Sequence, residues 1–282
     1  MAEDIFTPDR ASLYHYKLDR VLGQGGTGKV YRGIDTKKGE VVAIKRFHDN
    51  FFRSRMHLND LKASVKKFKK FNHENVVRIF DFLDGDERDG NCMIMEYVDG
   101  PNLNWYIKNR PFNAPERINI CLQICAGLQY LHDNGVVHHD LKPANILFTR
   151  KGKVKIADFS LFGGGLLLQL FDRGLNEQIT PMYVSPEILL KQKAGPASDI
   201  YSLGVTMYIL FAERLPYAAD SVQKLYMCHL RVVPEHPSQV NPKCSRPLGD
   251  IIMRCMEKRA DARFQDCDQL RIALSQMGRS RI

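Results

Sequence analysis

A chain of 282 residues, 44% hydrophobic and 26% charged, has the composition of a soluble globular protein with enough material to bury a core in one large domain or two lobes. No apolar run approaches the roughly 18 residues a membrane span needs. The opening MAEDIFTPDR has an early acid pair and no apolar centre, so no secretory signal is expected and we read the protein as cytoplasmic. The net charge of +9 admits nucleic acid, anionic lipid or acidic protein as partners and does not choose between them. None of the seven cysteines forms a CxxC pair, which argues for reduced thiols over zinc.

Residues 14–50 read as strands. YKLDRVL, KVYRGID and EVVAIKRF are β-rich runs divided by a Gly-rich turn and by Thr36-Lys37-Lys38-Gly39. Residues 57–72 read as a helix with Leu61, Val65 and Phe68 on one face. Its Lys62, Lys66, Lys67, Lys69 and Lys70 lie largely elsewhere, as a solvated surface or a docking surface for an acidic partner. RIFDFL and NCMIMEYV read as two further strands, and RINICLQICAGLQYLHDNG as a long amphipathic helix ending at Gly135. Short strands follow at NILF and VKIADF, then an irregular stretch to about Pro186, then helices to the end. A β-rich part therefore precedes a helical part, with the change near residues 96–102. There are no repeats and no low-complexity tails, and no appended sensor domain is expected.

Three motifs carry chemistry. Gly23-Gln24-Gly25-Gly26-Thr27-Gly28 can bring bare backbone N–H groups close to phosphate oxygens. Dinucleotide-binding turns share this spacing but open a helix, whereas this one leads into the strand KVYRGID. Next, Lys45 ends the apolar Val42-Ala43-Ile44-Lys45 strand, where a buried ammonium calls for an anion. Finally, His138-His139-Asp140-Leu141-Lys142-Pro143-Ala144-Asn145 is followed at short range by Ile156-Ala157-Asp158-Phe159-Ser160.

With these motifs in this order, the sequence resembles the eukaryotic-like (Hanks-type) serine/threonine protein kinases over nearly its whole length. The resemblance implies an α+β, bilobal protein-kinase fold across residues 1–282. A small β-rich N-lobe (14–98) would carry the phosphate loop, and a larger helical C-lobe (99–282) the catalytic loop and activation segment. It implies ATP with Mg2+ or Mn2+, and a protein substrate bearing a Ser or Thr acceptor. Asp140 would orient the acceptor hydroxyl and take its proton, Lys142 would contact the transferring phosphate, Asn145 and Asp158 would hold the metal, and Lys45 the α- and β-phosphates. Gly23, Gly25 and Gly28 would cover the phosphates. Val30, Ala43 and Leu147 would sandwich adenine, with Met95 as gatekeeper and Glu96 and Val98 offering backbone groups. Glu187 of Ser185-Pro186-Glu187 would pair with Arg263, Asp199 would hold the catalytic loop, and the Thr180 hydroxyl would contact it. Lys142 is the serine/threonine form of the loop, and the Gly25-Gly26 pair with Thr27 looks bacterial. No nucleic-acid motif accompanies the positive charge.

Three positions depart from the family pattern. Counting forward from Lys45 and back from His73-Glu74-Asn75-Val76 both place the usual helix glutamate at Ser64, and Asp60 is the nearest acid. Loss of one partner of a buried pair costs on the order of 3 kcal/mol, about a hundredfold in rate. A nucleotide-binding pseudokinase scaffold is therefore the alternative reading. His139 replaces an arginine that binds activation-loop phosphate, and Ser160 replaces a hinge glycine. From Leu161 to Ile179 there is no Ser, Thr or Tyr, and the apolar Leu166–Phe171 run is a candidate surface for internal docking or self-association.

Overall fold

The computed structural model describes residues 12–13, 15–48, 51–52, 55–85, 90–110, 112–159 and 180–277. Ser160 and the Leu166–Phe171 run lie outside the described residues. The chain divides into two compact units, one of residues 1–72 with 77–98, the other of residues 73–76 with 99–282.

Among its described residues, the first unit is a six-stranded antiparallel sheet in the order β1-β2-β3-β4-β6-β5, with one helix. Its strands are β1 (Ser12–Leu13), β2 (Tyr16–Gly25), β3 (Gly28–Asp35), β4 (Glu40–Phe47), β5 (Ile79–Leu83) and β6 (Cys92–Glu96). The β3–β4 turn is set by the Asp35 carboxylate, which accepts from the Lys37 and Lys38 N–H groups, and by Gly39 at φ 70°. Strand alternation sends Val42 and Ile44 into a core with Tyr16, Cys92 and Ile94. Ala43, Lys45 and Phe47 share the other face of β4, and all three are buried. Helix α1 (Arg55–Phe68) buries Leu61, Val65 and Phe68 at helical spacing. Its basic side is partly claimed: Lys62 pairs with Asp84, and Lys69 reaches Asp81 at 2.9 Å. Lys66 and Lys70 remain on exposed positions.

The second unit is helical. Asn102 caps α2 (Leu103–Asn109) by accepting from the Trp105 N–H. Helix α3 (Ala114–Asp133) opens on a reciprocal capping box between Asn113 and Glu116. It buries Ile118, Ile120, Cys121, Ile124, Cys125, Leu128 and Leu131, and Gly135 at φ 69° follows its end. The β7 (Ile146–Phe148) and β8 (Val154–Ile156) strands pair as an antiparallel ribbon. Residues 73–76 join this unit because Asn75 donates to the Val154 carbonyl at 2.9 Å and accepts at its own carbonyl from Ile156 N–H at 2.8 Å. A Cβ on Gly127 would sit 2.8 Å from that Asn75 carbonyl, so only glycine lets α3 approach so closely.

After α4 (Pro186–Leu189) comes α5 (Pro196–Ala212), which is buried at almost every position. A helix apolar all round belongs at the centre of a core, and α5 packs against α3, α7 (Pro237–Val240) and α8 (Arg246–Cys255). Helix α6 (Val222–Arg231) lies beside α4, and α9 (Cys267–Met277) packs on α3 and α8. All seven cysteines are free thiols, six of them buried. Among the described residues no helix is long and apolar enough to cross a membrane.

Candidate active site

In the first unit, the glycine motif is the tip of the β2–β3 hairpin, with Gly23 opposite Val30 and Gly25 opposite Gly28. Gly23 and Gly25 are exposed, and neither has an atom within 4 Å of where a Cβ would stand. Gly28 is different: at φ 156° a Cβ there would lie 2.1 Å from the Arg46 carbonyl oxygen. Register carries the hairpin to the lysine, since Val30 pairs with Lys45 across β3–β4, and Ala43 pairs with Met95 across β4–β6. Lys45 is 8% exposed, and its Nζ lies 5.9 Å from the centroid of the Phe47 ring. Met95 is buried. The Glu96 N–H donates to the Arg78 carbonyl at 2.8 Å, and Val98 is half-buried. Ser64 is half-buried, one turn from both Leu61 and Phe68, and so faces inward on α1. Asp60 is exposed.

In the second unit, Asp140, Lys142, Asn145 and Thr180 converge. Lys142 Nζ lies 2.7 Å from Asp140 Oδ2 and donates to Thr180 Oγ1 at 2.6 Å. The Thr180 hydroxyl is in turn 3.4 Å from Asp140 Oδ1. Asn145 Nδ2 donates to the Asp140 carbonyl at 2.8 Å and to Asp140 Oδ2 at 3.2 Å. Asp140 is thus held by a cation, an amide and a hydroxyl. Leu147 is half-buried on β7, and Asp158 is exposed at φ 54°.

The loop hangs on Asp199, which is fully buried on the first turn of α5. Its Oδ2 accepts from His138 N–H at 2.7 Å and its Oδ1 from His139 N–H at 2.9 Å. His132 Nε2 adds a third bond at 2.8 Å. Burial alone would raise the Asp199 carboxyl, but the His132 hydrogen bond and the nearby histidines outweigh it and hold the pKa below the ordinary value. His138 Nε2 meets the Ala157 carbonyl at 3.0 Å, which can only accept, so Nε2 carries the proton and Nδ1 accepts from Asp140 N–H. That imidazole therefore ties the residue before Asp158 to the backbone of Asp140. His139 sits at φ 66° with Nδ1 buried and without a hydrogen-bond partner. Burial pushes its pKa down despite Asp199, so it is neutral at pH 7.

Glu187 and Arg263 form a two-pronged pair at 2.9 Å on each arm, with the Arg263 side chain fully buried. Arg263 also donates to the Glu257, Ala197 and Lys258 carbonyls, and Ser198 donates to Glu187 at 2.6 Å. Burial raises the Glu187 carboxyl, but the Arg263 hydrogen bonds and charge bring its pKa below normal.

The donor set fits a hard divalent cation. Asn145 gives its amide hydrogens to Asp140, which leaves its side-chain oxygen, and Asp158 brings a carboxylate. Among the described residues no group of three or more His, Cys, Asp or Glu could hold a metal by itself. Mg2+ needs no such cage, since it retains water and takes phosphate oxygens.

Sequence reasoning did not single out His132, Ser198 or Phe47. His132 is 67 positions from the aspartate it holds, and no local pattern marks that partnership. Phe47 carried a faint signal, standing two residues beyond Lys45 in an alternating strand.

The glycine hairpin before a buried strand lysine, and the Asp140, Lys142 and Asn145 cluster hung on Asp199, are the arrangement expected of a protein kinase. The protein kinase domain profile matches residues 16–272, and the chain belongs to that family. It is similar to a probable serine/threonine-protein kinase of Streptomyces coelicolor, with 31% identity over 268 residues, 91% of this chain and 39% of the relative. It is also similar to the serine/threonine-protein kinase pkn2 of Myxococcus xanthus, with 31% identity, 92% of this chain and 32% of the relative. A third relative, PrkC of Bacillus subtilis, shows 29% identity over 90% of this chain and 39% of its own. The chain thus spans about two fifths or less of the length of these three relatives. The crystal structure of the Mycobacterium tuberculosis PknI kinase domain has a TM-score of 0.73, covering 94% of this chain and 97% of that one at 20% identity, a likeness of fold alone.

Proposed function

We propose that this chain transfers the γ-phosphate of ATP to a serine or threonine hydroxyl of a protein substrate. The observation that supports this best is the Asp140 carboxylate held by Lys142, Asn145 and Thr180. A carboxylate fixed in this way can accept the acceptor's proton and keep its oxygen in line, while Lys142 offers positive charge to the phosphoryl oxygens. Asn145 and Asp158 would hold Mg2+ or Mn2+, which supplies charge neutralisation for the ATP phosphates. Lys45 and the Gly23, Gly25 and Gly28 backbone would hold those phosphates, and Val30, Ala43, Met95, Glu96, Val98 and Leu147 the adenine. No covalent enzyme intermediate is required.

The experiment is transfer of labelled phosphate from ATP and magnesium to a generic protein, beside Asp140→Ala and Asp158→Ala. Both variants should lose transfer, with Asp140→Ala still binding ATP. Equal rates in Asp140→Ala and wild type would overturn the mechanism. A second reading, a nucleotide-binding pseudokinase scaffold, is favoured by Ser64 on the inward face of α1, and ATP binding with no transfer to any protein would establish it.

The acceptor segment is expected to be neutral or acidic. Basophilic relatives place acids where this chain has Asn102 and Ala144, and here the Asn102 side chain is committed to capping α2. A peptide library that selects arginine two or three residues before the acceptor would sink this. Control by a phosphate on the activation segment is not expected. The Thr180 hydroxyl is engaged by Lys142 and Asp140, and neutral His139 is a poor phosphate receptor. Mass spectrometry showing a stoichiometric Thr180 phosphate that activity depends on would refute it.

A further inference from the structure

The tip of the β2–β3 hairpin is tied to the end of β4 by one residue, His48, which no motif marks. Its backbone N–H donates to the Thr27 carbonyl at 3.2 Å. Its ring Nε2 meets the Gly25 carbonyl at 3.1 Å. A carbonyl oxygen can only accept, so Nε2 carries the proton and donates. His48 is itself anchored. Its own carbonyl accepts from the Phe51 N–H at 2.9 Å, and the Phe51 ring stacks on buried Phe47 with centroids 5.2 Å apart. Beside the tip, β3 runs so close to β4 that a Cβ on Gly28 would lie 2.1 Å from the Arg46 carbonyl oxygen.

These bonds fix the sense of the turn. The described peptides are trans, and a trans peptide points its carbonyl and the next residue's N–H in opposite directions. Holding the Gly25 carbonyl toward the imidazole therefore directs the Gly26 N–H to the other side of the turn. An untethered glycine turn has a wide choice of backbone angles, and that freedom is lost when its N–H groups must meet an anion. The imidazole removes part of that cost beforehand. Gly23 and Gly25 keep open space where a Cβ would stand, so the tether does not crowd these two positions.

We propose that His48 is the positioning residue of the glycine hairpin: its Nε2–H holds the Gly25 carbonyl so that the Gly26 N–H is preset for a nucleotide phosphate. This deepens the proposed kinase activity and rests on the reading of the hairpin as the ATP phosphate site. Two consequences follow from the chemistry. The device acts on phosphate and not on adenine. It needs a hydrogen-bond donor at position 48 and not the bulk of a ring.

The test is calorimetry on the full chain with magnesium-ATP and, separately, with adenosine, for His48→Ala, His48→Phe and His48→Gln, with melting temperatures recorded alongside. His48→Ala and His48→Phe should each weaken ATP about three- to tenfold and change adenosine affinity by less than about twofold. His48→Gln supplies an amide N–H in place of the imidazole donor and should stay within about twofold of wild type for ATP. His48→Phe keeps the ring's size, so it decides the question if His48→Ala does not fold. Wild-type ATP affinity in His48→Phe, or equal weakening of ATP and adenosine, would overturn the inference. So would a His48→Gln protein as weak for ATP as His48→Phe. If the wild type binds ATP no better than adenosine, the phosphate role of the hairpin is what fails.

Discussion

At the scale of single residues, the buried histidines make the protein sensitive to acid. His229 is fully buried with Nδ1 on the Tyr201 hydroxyl at 2.8 Å, and burial with the neighbouring Lys258 charge lowers its pKa to about 4. The unfolded chain binds this proton near pH 6.5 and the fold refuses it until about pH 4. Stability is therefore complete above pH 6.5 and falls as pH drops from there to about 4, by roughly 3 kcal/mol for this group. His139 acts in the same direction, its pKa also lowered by burial. Asp199 and Glu187, both with lowered carboxyl pKa values, extend the loss to lower pH as they take up protons in turn. Thermal melts from pH 7.5 to 5 should show a falling midpoint, and His229→Phe should flatten that slope whatever its effect at pH 7.5. An equal slope in the variant would remove His229 as the cause. A second residue prediction concerns Ser64. Because it faces inward beside Leu61 and Phe68, Ser64→Glu in the otherwise unaltered chain should raise the transfer rate or tighten ATP. No gain in a folded variant would indicate that Lys45 is already fully oriented.

At the scale of elements, the long helix α3 shows how local and tertiary requirements meet. Its start is local chemistry: Asn113 and Glu116 satisfy each other's backbone N–H groups at 2.9 Å in both directions. Asn113→Ala should cost about 1 kcal/mol, read as a shift in the denaturation midpoint. Its middle is tertiary. Gly127 looks like a weakness in a helix, yet it is where α3 meets Asn75 and Ile156, whose Cδ1 would stand 2.8 Å from an added Cβ. Gly127→Ala should destabilise by about 1–3 kcal/mol although alanine is the better helix former, because Asn75 anchors β8 of the β7–β8 ribbon. A stabilised Gly127→Ala protein would show that this approach is loose. The helix α1 resolves similarly. Its lysines read as one basic surface, but Lys62 and Lys69 are drawn to Asp84 and Asp81, which makes a surface for acidic partners smaller than the sequence suggests.

At the scale of the whole molecule, the second unit is fastened by the buried Glu187–Arg263 pair, which joins α4 to the segment before α9 through 76 positions of sequence. Arg263 donates to three backbone carbonyls as well, and its guanidinium lies 4.9 Å from the Tyr201 ring centroid. Arg263→Ala would leave the Glu187 carboxylate buried without its cation and should cost about 3–5 kcal/mol. Arg263→Lys should recover little of it, since one ammonium cannot replace a planar fork. Denaturant titration measures both, and a loss under about 1 kcal/mol for alanine would contradict the assignment.

Much of this was legible in the sequence because it depends on local rules. Alternation in EVVAIKRF, the glycine hairpin, and the spacing of Leu61, Val65 and Phe68 each arise from neighbouring residues and appear where those residues predict them, whereas α3 starts at Ala114, three residues before the expected Arg117. The order of the kinase motifs named Asp140, Asn145, Asp158 and Lys45 as candidates before any contact was known. The tertiary structure alone decided which partners hold them. His132 on Asp199, His138 between Asp140 and Ala157, and Lys142 against Thr180 are set by folding distance, which local periodicity does not encode. A side chain's type is written at its own position, whereas its desolvation and its hydrogen-bond partners come from residues the chain brings back from far away.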